Sequence, residues 1–201
     1  MPTKQLVDSS AFNKDISLPF ELRLKDFEIA MQDVYDFFFD VNSLFQSKGL
    51  PRLEEVLRAA NMSGMISDML TASVAKHSRS LCQNSFHNGH PDLIVKGRYP
   101  HDSVKSGVDG VEIKTTRKTG GAVDTHGARE QWLCVFVYVI DDKSEPAQDR
   151  ASTRFTELYL GHVEVTDFRK NDRGPLGTRT ATMDKFGIQK LRSNWIYKTN
   201  Q

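Results

Sequence analysis

Residues 111–116 read VEIKTT, and residues 132–140 read WLCVFVYVI. In the first, Glu112 and Lys114 fall on one side and Val111 and Ile113 on the other, the two-residue period of a β-strand. The second is β-branched and aromatic almost throughout and ends at Asp141–Asp142, the composition of a strand covered on both faces. A half-polar strand next to a wholly apolar one places a sheet at the centre of the molecule. Upstream, Asp92 opens a shorter apolar run, Leu93–Ile94–Val95, and a Gly/Pro/Asp-rich excursion from Lys96 to Gly110 separates it from VEIKTT. The loop TGGAVDTHGAREQ leads into the apolar strand. Beyond a polar linker (DDKSEPAQDRAST), the alternation of FTELYLGHVEV, residues 155–165, predicts a half-buried strand, and DKFGIQKLRSNWIY predicts a final helix.

The first third of the chain is helical in pattern. Phe20, Leu24, Phe27, Met31, Val34, Phe38, Val41 and Phe45 recur at spacings of four and three, a heptad seam. Ser17 is placed to cap the helix, Pro19 suits its first turn, and Gly49 and Pro51 stop it. Such a seam fits a helix packed on its own domain or one paired with a second subunit. A second helix is predicted from Pro51, broken by NMSG at residues 61–64, and a third from about Met65 to Leu81, carrying Asp68. The first dozen residues are polar and are expected to be poorly ordered. Helices, then strands, then a helix make a mixed α/β domain around a sheet. Residues 1–50 form a tail and a long helix, a possible dimer contact, and residues 51–201 form the main domain.

With 201 residues, 38% hydrophobic and 26% charged, the chain is long enough to build one core without disulfides. Cys82 and Cys134 lie far apart in apolar runs and read as free thiols in a reducing compartment. No stretch of about 18 apolar residues predicts a transmembrane helix, and no secretory h-region opens the chain, so a cytoplasmic protein without a membrane partner is expected. The net charge of +1 does not announce a nucleic-acid partner. Between Lys96 and Lys118, however, Lys96, Arg98, Lys105, Lys114, Arg117 and Lys118 outnumber Asp102, Asp109 and Glu112. P-loop, GxGxxG and GxSxG motifs are absent, which leaves nucleotide-driven, dinucleotide and serine-hydrolase chemistry without support. His87 and His90 have HxxH spacing, but no second ligand cluster accompanies them as a zinc site would need.

If the strand opened by Asp92 neighbours VEIKTT, then Asp92, Glu112 and Lys114 converge at one end of the sheet. Two carboxylates there make a hard oxygen site suited to Mg²⁺. A lysine beside them can orient or deprotonate water or stabilise charge on a phosphate, the needs of phosphodiester hydrolysis.

Pro91–Asp92 with Glu112–Ile113–Lys114 resembles the PD-(D/E)XK signature of the restriction-endonuclease-like superfamily, over roughly residues 65 to 140. The resemblance implies a restriction-endonuclease-like core, a central mixed β-sheet flanked by helices, here with an N-terminal helical arm. It implies that Asp92, Glu112 and the Ile113 carbonyl ligate Mg²⁺, with Mn²⁺ able to substitute, and that Lys114 assists the attacking water. Asp68 is the candidate for a further acidic ligand, ahead of Glu54 and Glu55; a glutamate in its helix would be the commoner pattern. Arg117, Lys118 and Arg129 are candidate phosphate contacts, Gln131 a support for the lysine, and His126 a proton donor in the same DNA-binding set. His90 is brought near the site by the Pro91–Asp92 that comes directly after it. The implied activity is Mg²⁺-dependent cleavage of double-stranded DNA, as by a type II restriction endonuclease. Two centres are needed to cut both strands of a symmetric site, so a homodimer is expected. A repair or structure-specific nuclease would use the same site. A non-catalytic DNA-binding or scaffold protein would not.

Overall fold

The structure, a computed structural model, describes residues 4–170 and 180–199. VEIKTT lies in β3 (Gly110–Thr116) and the apolar run in β5 (Gln131–Val139); they pair in parallel, Glu112 opposite Leu133 and Lys114 opposite Val135. On the other side of β3, β2 (Leu93–Val95) pairs antiparallel, and β1 (Leu81–Gln83) lies next to it. Beyond β5 come β6 (Arg154–Val163) and β9 (Trp195–Lys198), giving a six-stranded mixed sheet of order β1-β2-β3-β5-β6-β9. Three short strands, β4 (Asp124–Thr125), β7 (Phe168–Lys170) and β8 (Ala181–Met183), form a separate small sheet. The fold is therefore mixed α/β with an N-terminal helix.

The two faces of the sheet are covered differently, and the alternation along β5 decides how. Cys134, Phe136 and Tyr138 turn toward α1 (Leu24–Ser47) and α3 (Ala59–His77), where Phe27, Met31, Val34, Ile66 and Leu70 are fully buried against them. Leu133, Val135 and Val137 turn to the opposite face, toward the small sheet and α4 (Lys185–Ser193). Burying one such leucine or phenylalanine contributes about 1.5–3 kcal/mol, so β5 anchors both layers. Across the helical layer, Asp33 on α1 accepts from Ser73 Oγ at 2.6 Å and meets His77 Nε2 at 3.0 Å, tying α1 to α3.

Several elements depart from the sequence expectation. The heptad seam of the N-terminal helix shares its core with the sheet, since Phe27, Met31, Val34 and Phe38 lie in the same core as Leu81, Leu93 and Ile113. The helix starts at Leu24 rather than near Ser17, because Asp26 folds back to accept the Arg23 backbone N–H at 2.9 Å, while Phe20 and Glu21 adopt positive φ. Residues 4–12 are not loose throughout, since Phe12 is buried and bridges Tyr197. NMSG does not interrupt a helix. Only a short turn, α2 (Leu53–Val56), precedes α3, which runs straight through Gly64; the buried Met62 and Ile66 on either side offset a glycine's helix cost of about 1 kcal/mol. Leu81 belongs to a strand, and the tail leaves its helix at Asn194 to add β9 to the sheet edge. Both cysteines are free, with Cys134 buried. Among the described residues no helix is long and apolar enough to cross a membrane.

Candidate active site

β2 and β3 stop pairing at Leu93–Val111, and from there the two chains diverge. The divergence leaves the Ile113 backbone without a strand partner on that side, and side chains fill the gap. Asp92 Oδ2 accepts the Ile113 N–H at 2.8 Å, and Ser67 Oγ on α3 donates to the Ile113 carbonyl at 3.2 Å. Backbone groups buried without partners are costly, so this substitution fixes Asp92 beside β3. The approach of the strands needs Gly110: a Cβ there would lie 1.9 Å from the Leu93 carbonyl oxygen. α3 is held against the same stretch, with Thr115 Oγ1 donating to the Ser63 carbonyl at 2.8 Å and Ser63 Oγ 2.8 Å from Tyr138 Oη.

Val111 and Ile113 enter the core, as the alternation predicts, so Glu112 and Lys114 share the other face. Lys114 Nζ donates to Glu112 Oε1 at 2.5 Å, and His90 Nδ1 lies 2.8 Å from Glu112 Oε2. All three side chains are largely buried, at 23%, 10% and 12% exposure. This crowding polarises the titration of the cluster. Burial, with the charge of Glu112 behind it, pushes the Asp92 carboxyl from an ordinary 3.8 up to about 6. Burial alone would raise Glu112 too, but contact with His90 and the charge of Lys114 outweigh it and hold that carboxyl down at about 2. Lys114 loses solvation by burial, yet Glu112 and Asp92 raise its pKa, so its ammonium stays protonated.

The cluster fits a divalent cation in its donor chemistry. Two carboxylates repel one another in a dry setting, and two buried acceptors, Glu112 Oε2 and Gln131 Oε1, have no hydrogen-bond donor, the His90 contact being poorly aligned for one. Among the described residues no group of three or more His, Cys, Asp or Glu side chains is arranged to hold a metal. The available donors are thus two carboxylates, an amide oxygen and the remaining lone pair of the Ile113 carbonyl, completed by water. Mg²⁺ accepts such a set, since it keeps several waters and takes one or two carboxylates.

Other predicted site residues divide by the end of the sheet they occupy. Gln131 opens β5 on the face of Glu112 and is buried, and the Arg129 charge acts on Lys114, so both belong to the neighbourhood. His126 is exposed in the loop after β4. Arg117 and Lys118 lie past the far end of β3, five and six residues from Glu112, or roughly 16–20 Å along a strand. Arg117 is there paired with Asp142 at 2.8 Å. Asp68 is exposed on α3 and is not among the main charges acting on Asp92, Glu112 or Lys114; its neighbour Ser67 reaches β3 instead. Glu54 is buried and engaged with Asn42 and Thr153, and Glu55 pairs with Arg52 and Arg150. His90 contributes more than its sequence position signalled. Its signal was adjacency to Pro91–Asp92, which gives proximity but not a contact with Glu112.

No protein-family model matches the chain, and no curated protein matches it significantly.

Proposed function

We propose that the protein is a Mg²⁺-dependent DNA endonuclease of the PD-(D/E)XK type, acting on phosphodiester bonds in double-stranded DNA in the manner of a type II restriction enzyme. The observation that carries the reading is the meeting of Asp92, Glu112 and Lys114 where β2 and β3 diverge, with Asp92 pushed up by burial and the neighbouring carboxylate. Perturbed, buried carboxylates at such a point are what a hydrolytic metal site needs.

Asp92 and Glu112 would hold the cation, with Gln131 Oε1 and the Ile113 carbonyl as nearby neutral donors. Bound there, Mg²⁺ would polarise the phosphate and make water a better nucleophile at neutral pH. The residues of the chain supply orientation and charge. Asp92 is fixed by the Ile113 N–H, and Glu112 is held between Lys114 and His90. Lys114, beside Glu112, is placed to donate to a phosphate oxygen or to orient the attacking water. Arg129 adds positive charge beside Lys114 for a second phosphate contact. Mn²⁺, another oxygen-seeking ion, fits the same donors. Cutting both strands of a symmetric site calls for two copies of the centre, hence a homodimer.

The test is incubation of the purified protein with plasmid and phage DNA plus Mg²⁺, then sequencing of fragment ends. Discrete ends at a recurrent sequence support restriction-type cleavage. Cleavage confined to branched or mismatched DNA reassigns the site to a structure-specific nuclease. Intact DNA in both Mg²⁺ and Mn²⁺ overturns the nuclease reading.

A further inference from the structure

The face of the sheet that carries Glu112 and Lys114 is only partly covered. The core beneath α4 and the small sheet draws Leu133, Val135, Val137, Tyr159 and Val163 from β5 and β6, and nothing from β2 or β3. The cover stops short of the carboxylates and forms a wall beside them. Its position is set by register. Glu112 pairs with Leu133, Leu133 pairs with Gly161, and Gly161 packs under Leu191 of α4. Leu191 thus crosses the sheet level with Glu112 and two strands away, a lateral step of about 10 Å.

The solvent side of this wall is basic. Lys185, Gln189 and Arg192 recur on α4 at spacings of four and three, one helical stripe, and all are exposed. Together with Arg169 of β7 they line a groove of about 510 Å³ between α4 and the small sheet, with Ile188 and Asp184 also on its walls. Among the described residues Asp184 is the one carboxylate lining the groove, and it is occupied in capping α4, accepting the Gly187 N–H at 2.8 Å. The remaining cation of the helix, Lys190, is neutralised by Asp167 at 3.1 Å. The side chains of Arg169 and Lys185, in contrast, have no ion-pair or hydrogen-bond partner among the described residues. Arg192, which also lines the groove, is anchored through Nε to the Gly120 carbonyl at 3.0 Å and has no ion-pair partner among the described residues. Phe186 stands beside the stripe, 74% exposed, an aromatic ring with nothing of its own chain to cover it among the described residues.

We infer that the groove between α4 and β7 is a DNA-backbone contact surface, with Arg169, Lys185 and Arg192 taking phosphates of the duplex whose cleaved bond lies at Glu112 and Lys114. The inference rests on the nuclease reading and extends it to a second contact. Charge selects the occupant: three cations and a polar amide, with no free carboxylate among the described residues of the groove, suit a polyanion. Position calls for an extended polyanion, because the groove lies on the same side of the sheet as Glu112 and Lys114, beyond the strands β5 and β6, and only a ligand long enough to reach past them touches both. A duplex whose one backbone is held at the carboxylates has the length to lay another stretch against the basic wall.

Fluorescence anisotropy of a labelled duplex across a salt series tests this, using the full chain in a Lys114→Ala background with Mg²⁺ so that the DNA stays whole. Arg169→Ala with Lys185→Ala should weaken binding about tenfold or more and reduce the slope of log K against log salt by about two, the signature of two lost phosphate contacts. A control pair, Lys25→Ala with Lys48→Ala, removes equal charge from α1 and its C-cap and should leave the slope unchanged. Equal effects of the two pairs, or an unaltered slope in the groove pair, overturn the inference. So does a groove variant that binds DNA normally but loses self-association in sedimentation, which would make the groove a contact between copies. Plasmid cleavage by the otherwise unaltered chain is scored separately: cleavage with an unaltered slope fails the groove alone, whereas no cleavage and no duplex binding fail both readings.

Discussion

Asp92 stands in for a missing strand partner of Ile113: its carboxylate accepts the Ile113 N–H at 2.8 Å just past Val111, where β2 and β3 cease to pair. One carboxylate is thereby locked to the strand that carries the other. The relationship makes the site a property of the sheet rather than of a loop, and elements of regular structure hold reacting groups more precisely than loops do.

Lys114→Ala should lower single-turnover cleavage by about 100- to 1,000-fold, the usual cost of removing one preorganised donor to developing charge. Duplex affinity should change only a few-fold, because Lys114 is one cation among several. Cleavage rates and anisotropy measured side by side check this; an equal rate in the variant would remove Lys114 from the mechanism.

His90 meets Glu112 Oε2 at 2.8 Å and should act as a positioning residue. His90→Ala is expected to weaken Mn²⁺ binding about 10- to 100-fold, the range for groups that orient metal ligands. His90→Asn, which offers a donor near the Nδ1 position, should recover much of that loss. Calorimetric titration of both variants separates orientation from mere packing, since packing alone would not respond to the donor.

The pH dependence has a definite sign. Unfolded Asp92 loses its proton near 3.8 and folded Asp92 near 6, so the metal-free folded state binds more protons between those values. Its contribution to stability therefore falls as pH rises through that window. Glu112, held at about 2, contributes in the opposite sense, but its window closes near its ordinary 4.5. Between about pH 4.5 and 6 the metal-free chain should lose stability relative to Asp92→Asn, as read by denaturant midpoints. Cation binding should weaken as pH falls through the same range, because protons compete for Asp92.

Gly110→Ala should destabilise the protein by about 1–3 kcal/mol or more, since the added methyl meets the Leu93 carbonyl and β2 must move. Asp92 moves with β2, so metal affinity should fall together with stability. A variant with full stability and full metal affinity would show that the close strand approach is not what sets the site.

The parts of the fold and site that were legible in sequence are those governed by local period. Alternation in VEIKTT put Glu112 and Lys114 on one face, and the apolar run through Phe136 marked the strand buried on both sides. What sequence missed is decided by tertiary contact. Gly64 sits inside a helix because Met62 and Ile66 are buried, and Trp195–Lys198 is a strand because β6 offers an edge to pair with. β7 and β8 are three residues each, too short for a period to declare itself. In the site, one step of helical rotation separates Ser67, which touches β3, from the exposed Asp68. Arg117 was placed near the site by its charge and its closeness in sequence, but a strand carries residues apart by about 3.3 Å each, and it ends at the opposite edge beside Asp142.

The central claim is that Asp92 and Glu112 together form a divalent cation site. Isothermal titration of the full chain with Mn²⁺ at about pH 7.5, above the Asp92 titration, measures it directly. Saturable binding should appear and should fall at least tenfold in Asp92→Ala and in Glu112→Ala taken singly. Absence of binding in the unaltered chain, or undiminished binding after either carboxylate is removed, would contradict it.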